Sequence, residues 1–297
     1  MKLNIWLILD GKRGHEKQIE DLAFFINKKI KTNITIIKKI SFLNIILNFM
    51  KIGNDPCKYF PRPDFIIAAG HQTHFDALQK KIRYGGKIIL IMKPSIPSFF
   101  FDLIIIPSHD NIFWKKNTLS IDGTVNKIMN KNKQEKNSAL ILLGGPSKNY
   151  LWSNKEVIDQ IKHILNVNPN LKFTIATSRR TPSELLNDTK FVHKNLLIVC
   201  HESVPHDWLE KNIGNYQHSW VTQDSISMLY ELIASGSIVN LIRLESKNRK
   251  FEKLFFELER QGKINNQYST QSFVRLSKNN QSSAENCAEF IIKNLIN

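Results

Sequence analysis

Hydrophobic positions in this 297-residue chain fall into short apolar runs separated by longer segments with helical spacing. Buried strands that alternate with helices are typical of β–α–β units and predict parallel sheets. Each half of the chain contains five such runs, so the pattern predicts an α/β protein with two doubly wound, Rossmann-like domains. The predicted strands are 4–9, 34–38, 65–69, 88–92, 103–107, 139–143, 173–177, 197–199, 219–221 and 238–241.

A polar stretch rich in Lys and Asn separates the two sets of strands. Residues 125–137, VNKIMNKNKQEKN, lack apolar periodicity, which indicates a linker. The tail, residues 283–296, has apolar side chains at helical spacing. We therefore predict one domain over 1–130, a second over 138–280, and a closing C-terminal helix over 281–297. The two domains are expected to face each other across a cleft.

The chain is strongly basic, with a formal net charge of +16. Residues 1–136 contain 23 Lys and Arg against 11 Asp and Glu, so most of the excess lies in the first half. A basic surface favours anionic lipid, nucleic acid or a phosphorylated substrate, although lysines also serve solubility alone. The sequence has no recognised nucleic-acid-binding module and no basic–aromatic interleaving, so a nucleic-acid partner is not predicted.

Cysteine usage and hydropathy indicate a cytoplasmic protein. Cys57, Cys200 and Cys287 are scattered without metal-binding spacing, and their odd number argues against a disulfide scaffold. No apolar run is long enough to span a bilayer. Peripheral contact with an anionic inner membrane face is a further expectation. Residues 40–52 and 99–101 would supply it, although a core helix and a core strand are their default interpretations.

Ligands of open parallel sheets bind beyond the carboxyl ends of the strands, so the residues there are candidate site residues. In DGKRGHEKQ, residues 10–18, glycines permit a tight turn and His15 opens a helix. The positive potential of a helix start favours a neutral imidazole, which accepts a proton. His109 and Asp110 follow another strand. A solvent-facing loop histidine and a helix-capping pair are the structural alternatives.

The sequence does not predict a metal site. His71, His74 and Asp76 follow the strand at 65–69, but no third ligand has convincing spacing. The chain contains no Asp-x-Asp motif, so a metal-chelated diphosphate is not expected. We expect no cofactor and no metal, and we interpret these histidines as part of a polar cleft wall.

Three loops in the second half follow strands and carry residue types that bind phosphate. The GGPSK loop precedes a separate capping box, Ser153 and Glu156, so it is not needed as a cap. The TSRR loop holds two arginines beside a helix start, which suits a diphosphate, with surface charge as the alternative. In TQDSIS, Asp224 is predicted to cap the helix and the serines to face the diphosphate. The candidate donor-binding residues are Gly144, Gly145, Ser147, Lys148, Ser178, Arg179, Arg180, Ser225, Ser227 and Glu231.

Eight motifs, in order along residues 5–265, resemble the bacterial relatives of the plant elongated-mitochondria fission factor. The resemblance implies a GT-B glycosyltransferase-like fold, with the sugar nucleotide in the C-terminal domain and the acceptor at the N-terminal domain. It also implies that Glu231 holds the ribose and that the Gly14-His15 loop faces the reacting sugar. The motifs are DGKRGHEKQ, RPDFIIAAGHQTH, IMKPS, FDLIIIPSHD, LLGGPSKNY, TSRRTP, TQDSISMLYE and RKFEKLFFELERQG.

The expected function is a metal-independent glycosyltransferase that moves a sugar from a nucleotide sugar to a membrane-associated glycolipid, such as a lipopolysaccharide core, or to another anionic acceptor. Without a metal, basic side chains and helix N-termini must stabilise the leaving diphosphate. Transfer also needs a general base near the acceptor hydroxyl, for which His15 is the first candidate, with Asp110 or His109 behind it. A non-catalytic adaptor and a sugar-nucleotide epimerase of the same fold remain the alternatives.

Overall fold

Two parallel β-sheets with flanking helices form the framework of the chain, so the predicted α/β fold class is confirmed. The computed structural model describes residues 2–40, 55–108, 116–129, 134–187, 191, 194–247, 251–265 and 281–296. The strands are β1 (Leu3–Leu9), β2 (Thr32–Lys38), β3 (Phe65–Ala69), β4 (Lys87–Ile91), β5 (Leu103–Pro107), β6 (Thr118–Ile121), β7 (Glu135–Leu142), β8 (Lys172–Ala176), β9 (Leu196–Val199), β10 (Tyr216–Thr222) and β11 (Ile238–Ile242). The α-helices are α1 (Arg13–Lys29), α2 (His74–Tyr84), α3 (Asn154–Val167), α4 (Glu184–Asn187), α5 (Trp208–Asn212), α6 (Ile226–Ser235), α7 (Glu252–Arg260) and α8 (Ser283–Ile291).

The first sheet has the strand order β2-β1-β3-β4-β5-β6, and all its pairs are parallel. Its central strands β3 and β5 are buried along their whole length, as expected for strands covered on both faces. One face packs against α1 and α8 through side chains such as Ile5, and the other carries Trp6 and Ile66. The carboxyl ends of β1 and β3 therefore lie side by side.

The second sheet has the order β11-β10-β7-β8-β9, also with parallel pairs throughout. Three strand ends that carry candidate residues, those of β10, β7 and β8, are neighbours in this order. The helix α6 follows β10, and its C-cap is Gly236, whose φ of 81° lies in the left-handed region that a helix-ending glycine commonly adopts.

The chain divides into one unit of residues 1–127 with 281–297 and a second unit of residues 128–280. The closing helix α8 belongs to the first unit, where Glu289 Oε1 lies 2.7 Å from Lys29 Nζ on α1. The first unit contains 21 Lys and Arg against 12 Asp and Glu, and the second 21 against 14. Their net charges of +9 and +7 are much closer than a division at residue 136 suggests.

Two features differ from the sequence-based expectation. The strand β6, TLSI, was not predicted, because all four of its residues are only half-buried at the sheet edge and its apolar positions are few. The predicted linker 125–137 overlaps β7, whose first three residues are exposed and polar and therefore hide the strand pattern. Val125 and Ile128 at the other end of that stretch are buried. Among the described residues, no helix combines the length and apolarity needed to cross a bilayer.

Candidate functional site

Three loops of the second unit meet where the adjacent strands β10, β7 and β8 end. The Gly144 N–H donates to Thr222 Oγ1 at 2.8 Å, which ties the loop after β7 to the end of β10. The Ser178 hydroxyl donates to the Gly144 carbonyl at 3.0 Å, which brings in the loop after β8. We call the group formed by residues 143–147, 178–181 and 222–225 the three-loop cluster.

A buried carboxylate joins these loops. The Asp224 side chain is 0% exposed, and its Oδ2 accepts the Gly145 N–H at 3.1 Å. The same oxygen lies 2.7 Å from Arg180 Nη2, whereas the buried Oδ1 has no hydrogen-bond partner in the described structure. The prediction that Asp224 caps the next helix is wrong, because its carboxylate is used for these contacts. Ser225 is the N-cap of α6, and its side chain makes no capping hydrogen bond.

Arg180 acts as a clamp between the loops. Its Nη1 donates to the carbonyls of Gly145 at 3.1 Å and Pro146 at 3.3 Å. Its Nη2 donates to Ser225 Oγ at 2.8 Å, in addition to its ion pair with Asp224. The side chain is still 44% exposed, so one side of the guanidinium faces solvent. Since Asp224 balances this charge, Arg180 orients the loops as much as it offers a cation.

Both glycines of the GGPSK loop are required because residues of the other two loops lie very close to their backbones. A Cβ on Gly145 would lie 1.8 Å from the Arg180 carbonyl oxygen. A Cβ on Gly144 would lie 2.2 Å from Asp224 Oδ2. Any side chain at either position would push the loops of the cluster apart.

The remaining candidates lie at the edge of the cluster or outside it. The Ser147 hydroxyl accepts the N–H of Tyr150 at 3.3 Å, and Lys148 and Arg179 are exposed. Ser227 is half-buried in the uncapped first turn of α6. Glu231, on the same helix, is only 5% exposed. The structure therefore brings Gly144, Gly145, Ser178, Arg180 and Ser225 together and leaves Ser147, Lys148, Arg179, Ser227 and Glu231 at or beyond the margin.

In the first unit, His15 lies in the first turn of α1 and is held from two sides. Its Nδ1 is 2.8 Å from Oδ2 of Asp10, whose side chain is 0% exposed. The other oxygen of Asp10 accepts the Lys12 N–H at 3.0 Å. Gly70, which follows β3 with a φ of 79°, lies against the imidazole, since a Cβ there would be 2.6 Å from the ring. The contact of Nδ1 with Asp10 leaves Nε2 as the ring nitrogen available to a substrate.

Asp10 and Gly70 were not among the candidates. A carboxylate at the end of a strand, five residues before a histidine, was the available signal for Asp10. Gly70 is distant in sequence, and only the β1–β3 pairing places it next to His15. His109 and Asp110 lie outside the described residues, so their predicted roles stay predictions.

Of the polar residues after β3, His71 is exposed, whereas His74 and Asp76 are buried and are not part of an open wall. His74 is 0% exposed, and its Nδ1 lies 3.1 Å from Ser95 Oγ. Burial, with a smaller effect from His71, lowers the pKa of His74 to about 4. Asp76 is also fully buried, and burial raises the pKa of its carboxyl although Lys80 lies 3.8 Å away. The interpretation of His74 and Asp76 as a cleft wall is therefore wrong.

No group of three or more His, Cys, Asp or Glu side chains among the described residues could hold a metal ion. Metal independence itself stays a prediction. The three-loop cluster offers hydrogen-bond donors and cations, and its one carboxylate, Asp224, is already paired with Arg180. Its chemistry suits an anion better than a cation.

Each of the two α/β units is built on a parallel sheet, and each carries candidate residues in loops at the carboxyl ends of its strands. This arrangement defines the chain as a two-domain, Rossmann-like protein. The chain belongs to the mitochondrial fission ELM1 family, which it matches over residues 13–295. It is similar to Uncharacterized protein RP120 of Rickettsia prowazekii (strain Madrid E), with 25% identity over 314 residues covering 86% of this chain and 87% of the relative. The resemblance to this family is thus confirmed.

Solved structures of similar fold include UDP-GlcNAc 2-epimerases. The enzyme from Methanocaldococcus jannaschii has a TM-score of 0.55 and 12% identity, covering 99% of this chain and 100% of its own. The enzyme from Neisseria meningitidis, bound to UDP-GlcNAc, has a TM-score of 0.55 and 12% identity, covering 100% of both chains. At this identity the likeness establishes the fold alone.

Proposed function

We propose that this protein binds a nucleotide sugar at the three-loop cluster and transfers the sugar to an acceptor hydroxyl. The observation that carries the proposal is the meeting of three donor-rich loops beside the uncapped first turn of α6. Backbone N–H groups at a helix start attract phosphate, and the helix dipole adds to this attraction. Exposed Arg179 and Lys148 supply positive charge, while Arg180 and Asp224 hold the loops in place.

The fold relatives support a nucleotide sugar as the ligand. The M. jannaschii and N. meningitidis proteins are UDP-GlcNAc 2-epimerases, and a Staphylococcus aureus protein of similar fold, with a TM-score of 0.55 and 11% identity, was solved with UDP. In this chain, the three-loop cluster is the feature that suits the same class of ligand. A diphosphate needs several N–H donors and at least one cation, which the cluster and its margin provide.

The chemistry proposed for the first unit is general-base catalysis by His15. The buried Asp10 carboxylate, 2.8 Å from Nδ1, favours the tautomer with the proton on Nδ1 and leaves Nε2 as the proton acceptor. Nε2 would take the proton of the acceptor hydroxyl as its oxygen attacks the anomeric carbon. The bond from that carbon to the diphosphate breaks, and the diphosphate leaves with the electron pair toward the cations of the cluster.

The acceptor we propose is a membrane-associated glycolipid. The net charge of +16 favours an anionic surface. Phe99 and Phe100 are 75% and 40% exposed and offer an apolar contact, whereas Phe101 is 2% exposed and belongs to the core. Of the three residues expected to contact the membrane at 99–101, only Phe99 and Phe100 are therefore proposed to do so. Residues 41–52, also expected to contact the membrane, lie outside the described residues.

Calorimetric titration with UDP, GDP, CMP and ADP tests the binding step. Micromolar affinity for one nucleotide that falls at least tenfold in Arg179→Ala supports the proposal. Lys162→Ala, on the exposed face of α3, is the matched control and should bind normally. Failure of a folded protein to bind any of the four would favour the adaptor alternative.

Incubation of the matching nucleotide sugar with and without a glycolipid extract separates the two enzyme alternatives. Nucleotide release that requires the extract supports transfer. Conversion of the nucleotide sugar without any acceptor would favour the epimerase alternative and contradict transfer.

A further inference from the structure

A cavity in the second unit lies beside the three-loop cluster. It has a volume of about 360 Å³ and is bounded by residues that follow β10 and β11 and by one side of α7. This volume is at the lower end of the range for small-molecule sites, so it suits a single ring better than a whole nucleotide. The side chains that matter for its chemistry are Tyr150, Gln223, Arg243, Glu252, Phe255 and Glu259.

Two residues that line the cavity, Tyr150 and Gln223, lie in or directly after loops of the three-loop cluster. Gln223 directly precedes Asp224, the carboxylate that joins the loops. Tyr150 closes the loop that Gly144 opens, and its backbone N–H donates to Ser147 Oγ at 3.3 Å. A ligand whose phosphates lie on the cluster therefore has a neighbouring cavity within reach of its next chemical group.

Two hydrogen-bonding groups in the cavity wall are left for a ligand. Gln223 Oε1 accepts the Leu244 N–H at 2.9 Å, which fixes the amide, and Nε2 has no partner in the described chain. The Tyr150 hydroxyl likewise makes no hydrogen bond to the described residues. Burial, with a smaller effect from Asp224, raises the pKa of Tyr150 to about 12, so the phenol keeps its proton at neutral pH. Both groups are donors to a neutral, oxygen-rich ligand.

The charge of the cavity argues against a phosphate. Arg243 Nη2 lies 2.5 Å from Glu259 Oε1, so its charge is already matched. Among the described lining residues, the one cation of the cavity is therefore already paired and is not left for a phosphate. Carboxylate oxygens in the lining can instead accept hydrogen bonds from the hydroxyl groups of a ligand.

Aromatic surface completes the cavity. The Phe255 side chain is 4% exposed and is fixed in the wall, while the neighbouring Phe256 is 67% exposed. The backbone of Arg243 is fixed as well, because its N–H and C=O both bond to the Gln160 amide at 2.8 Å. A rigid wall that combines an apolar ring face with amide, phenol and carboxylate groups suits a pyranose, which has apolar faces and a polar rim.

We propose that this cavity binds the glycosyl group of the donor, a neutral hexose or N-acetylhexosamine, with the Tyr150 hydroxyl and the Gln223 amide as hydrogen-bond donors. The inference rests on the proposed function, since it assigns the sugar of the same nucleotide-sugar ligand. The diphosphate lies on the three-loop cluster, and the sugar extends toward β11 and α7.

The test compares the affinities of a nucleotide sugar and of its parent nucleoside diphosphate in wild type and Tyr150→Phe. Loss of one hydrogen bond should weaken the nucleotide sugar about fivefold to tenfold and leave the diphosphate unchanged. Tyr216→Phe is the matched control, because that half-buried phenol lies at the amino end of β10, bonds to Thr174 Oγ1 and does not line the cavity. Equal weakening of both ligands, or of neither, would overturn the assignment.

Free methyl glycosides separate failure of this inference from failure of the proposed function. If the wild type binds no nucleotide, the proposed function fails, and the cavity is then probed directly by NMR. Millimolar methyl glycosides that shift the Gln223 side-chain amide in wild type, but not in Tyr150→Phe, support the cavity as a sugar site. The absence of such shifts overturns it.

Discussion

Replacement of Arg180 by Ala is expected to destabilise the second unit more than replacement of Asp224, although Asp224 is the more deeply buried partner. Without Arg180, the 0%-exposed carboxylate keeps only the Gly145 N–H and the Ser225 hydroxyl, and its Oδ1 already lacks a partner. An uncompensated buried charge costs about 3–5 kcal/mol, and the two remaining hydrogen bonds place the expected loss near the lower value, about 3 kcal/mol. The Arg180 side chain is already 44% exposed, so without Asp224 its guanidinium is solvated by water. The buried Gly145 N–H then loses its acceptor, which costs about 1–2 kcal/mol, while the Ser225 hydroxyl keeps Arg180 Nη2 as a partner.

Urea unfolding of the single and double variants, followed by hydrogen exchange at β7 and β10, measures both losses in the unit concerned. The double variant should cost less than the sum of the single variants, because the removal of Asp224 also removes the stranded charge. Arg179→Ala is the control, since this exposed neighbour has no partner in the described chain, and its loss should be below about 0.5 kcal/mol. An Arg180→Ala loss equal to the control, or smaller than that of Asp224→Ala, would refute the reasoning.

Three further predictions concern both units. Asp10→Asn should shift the neutral His15 ring away from the Nδ1-protonated tautomer, as read from ¹⁵N NMR; an unchanged tautomer would exclude Asp10 as the positioning group. Gly145→Ala should cost about 2–3 kcal/mol in thermal unfolding, because its Cβ would lie 1.8 Å from a backbone oxygen, whereas Gly14→Ala, with open space around it, should cost nothing. The pKa of His74 is about 4 in the folded protein and 6.5 in the unfolded chain. As the pH falls from 7 to 4.5, His74 therefore gains a proton in the unfolded chain but stays mostly neutral in the fold. The free energy of unfolding should therefore fall by about 2–3 kcal/mol between pH 7 and pH 4.5, and His74→Gln should remove that part of the fall.

Sequence periodicity located the central strands well because buried parallel strands are continuous apolar runs. The strands β3 and β5 lie where the apolar runs predict them, since every residue in them is buried. The same criterion failed for β6, whose four residues are only half-buried, and for the start of β7, whose first three residues are polar and exposed. The edge position of β6 explains its weak pattern, whereas β7 is the central strand of its sheet and only its first residues are exposed.

The candidate site was predictable in its residue types but not in its pairings. Glycine pairs and basic residues after strands pointed to Gly145 and Arg180, and both lie in the three-loop cluster. The role of Asp224 was missed because local capping and a contact with Gly145, 79 residues away, compete for the same carboxylate. Only the strand order, which places β10 next to β7, shows which contact prevails.

The central claim is that the diphosphate of a nucleotide sugar binds to the three-loop cluster. Hydrogen–deuterium exchange with and without excess UDP, read by mass spectrometry over peptides of the whole chain, tests it most directly. The account predicts slower exchange in residues 143–151, 178–181 and 223–229, with other peptides of the second unit unchanged. Protection confined to other segments, or no protection in a folded protein, would contradict it.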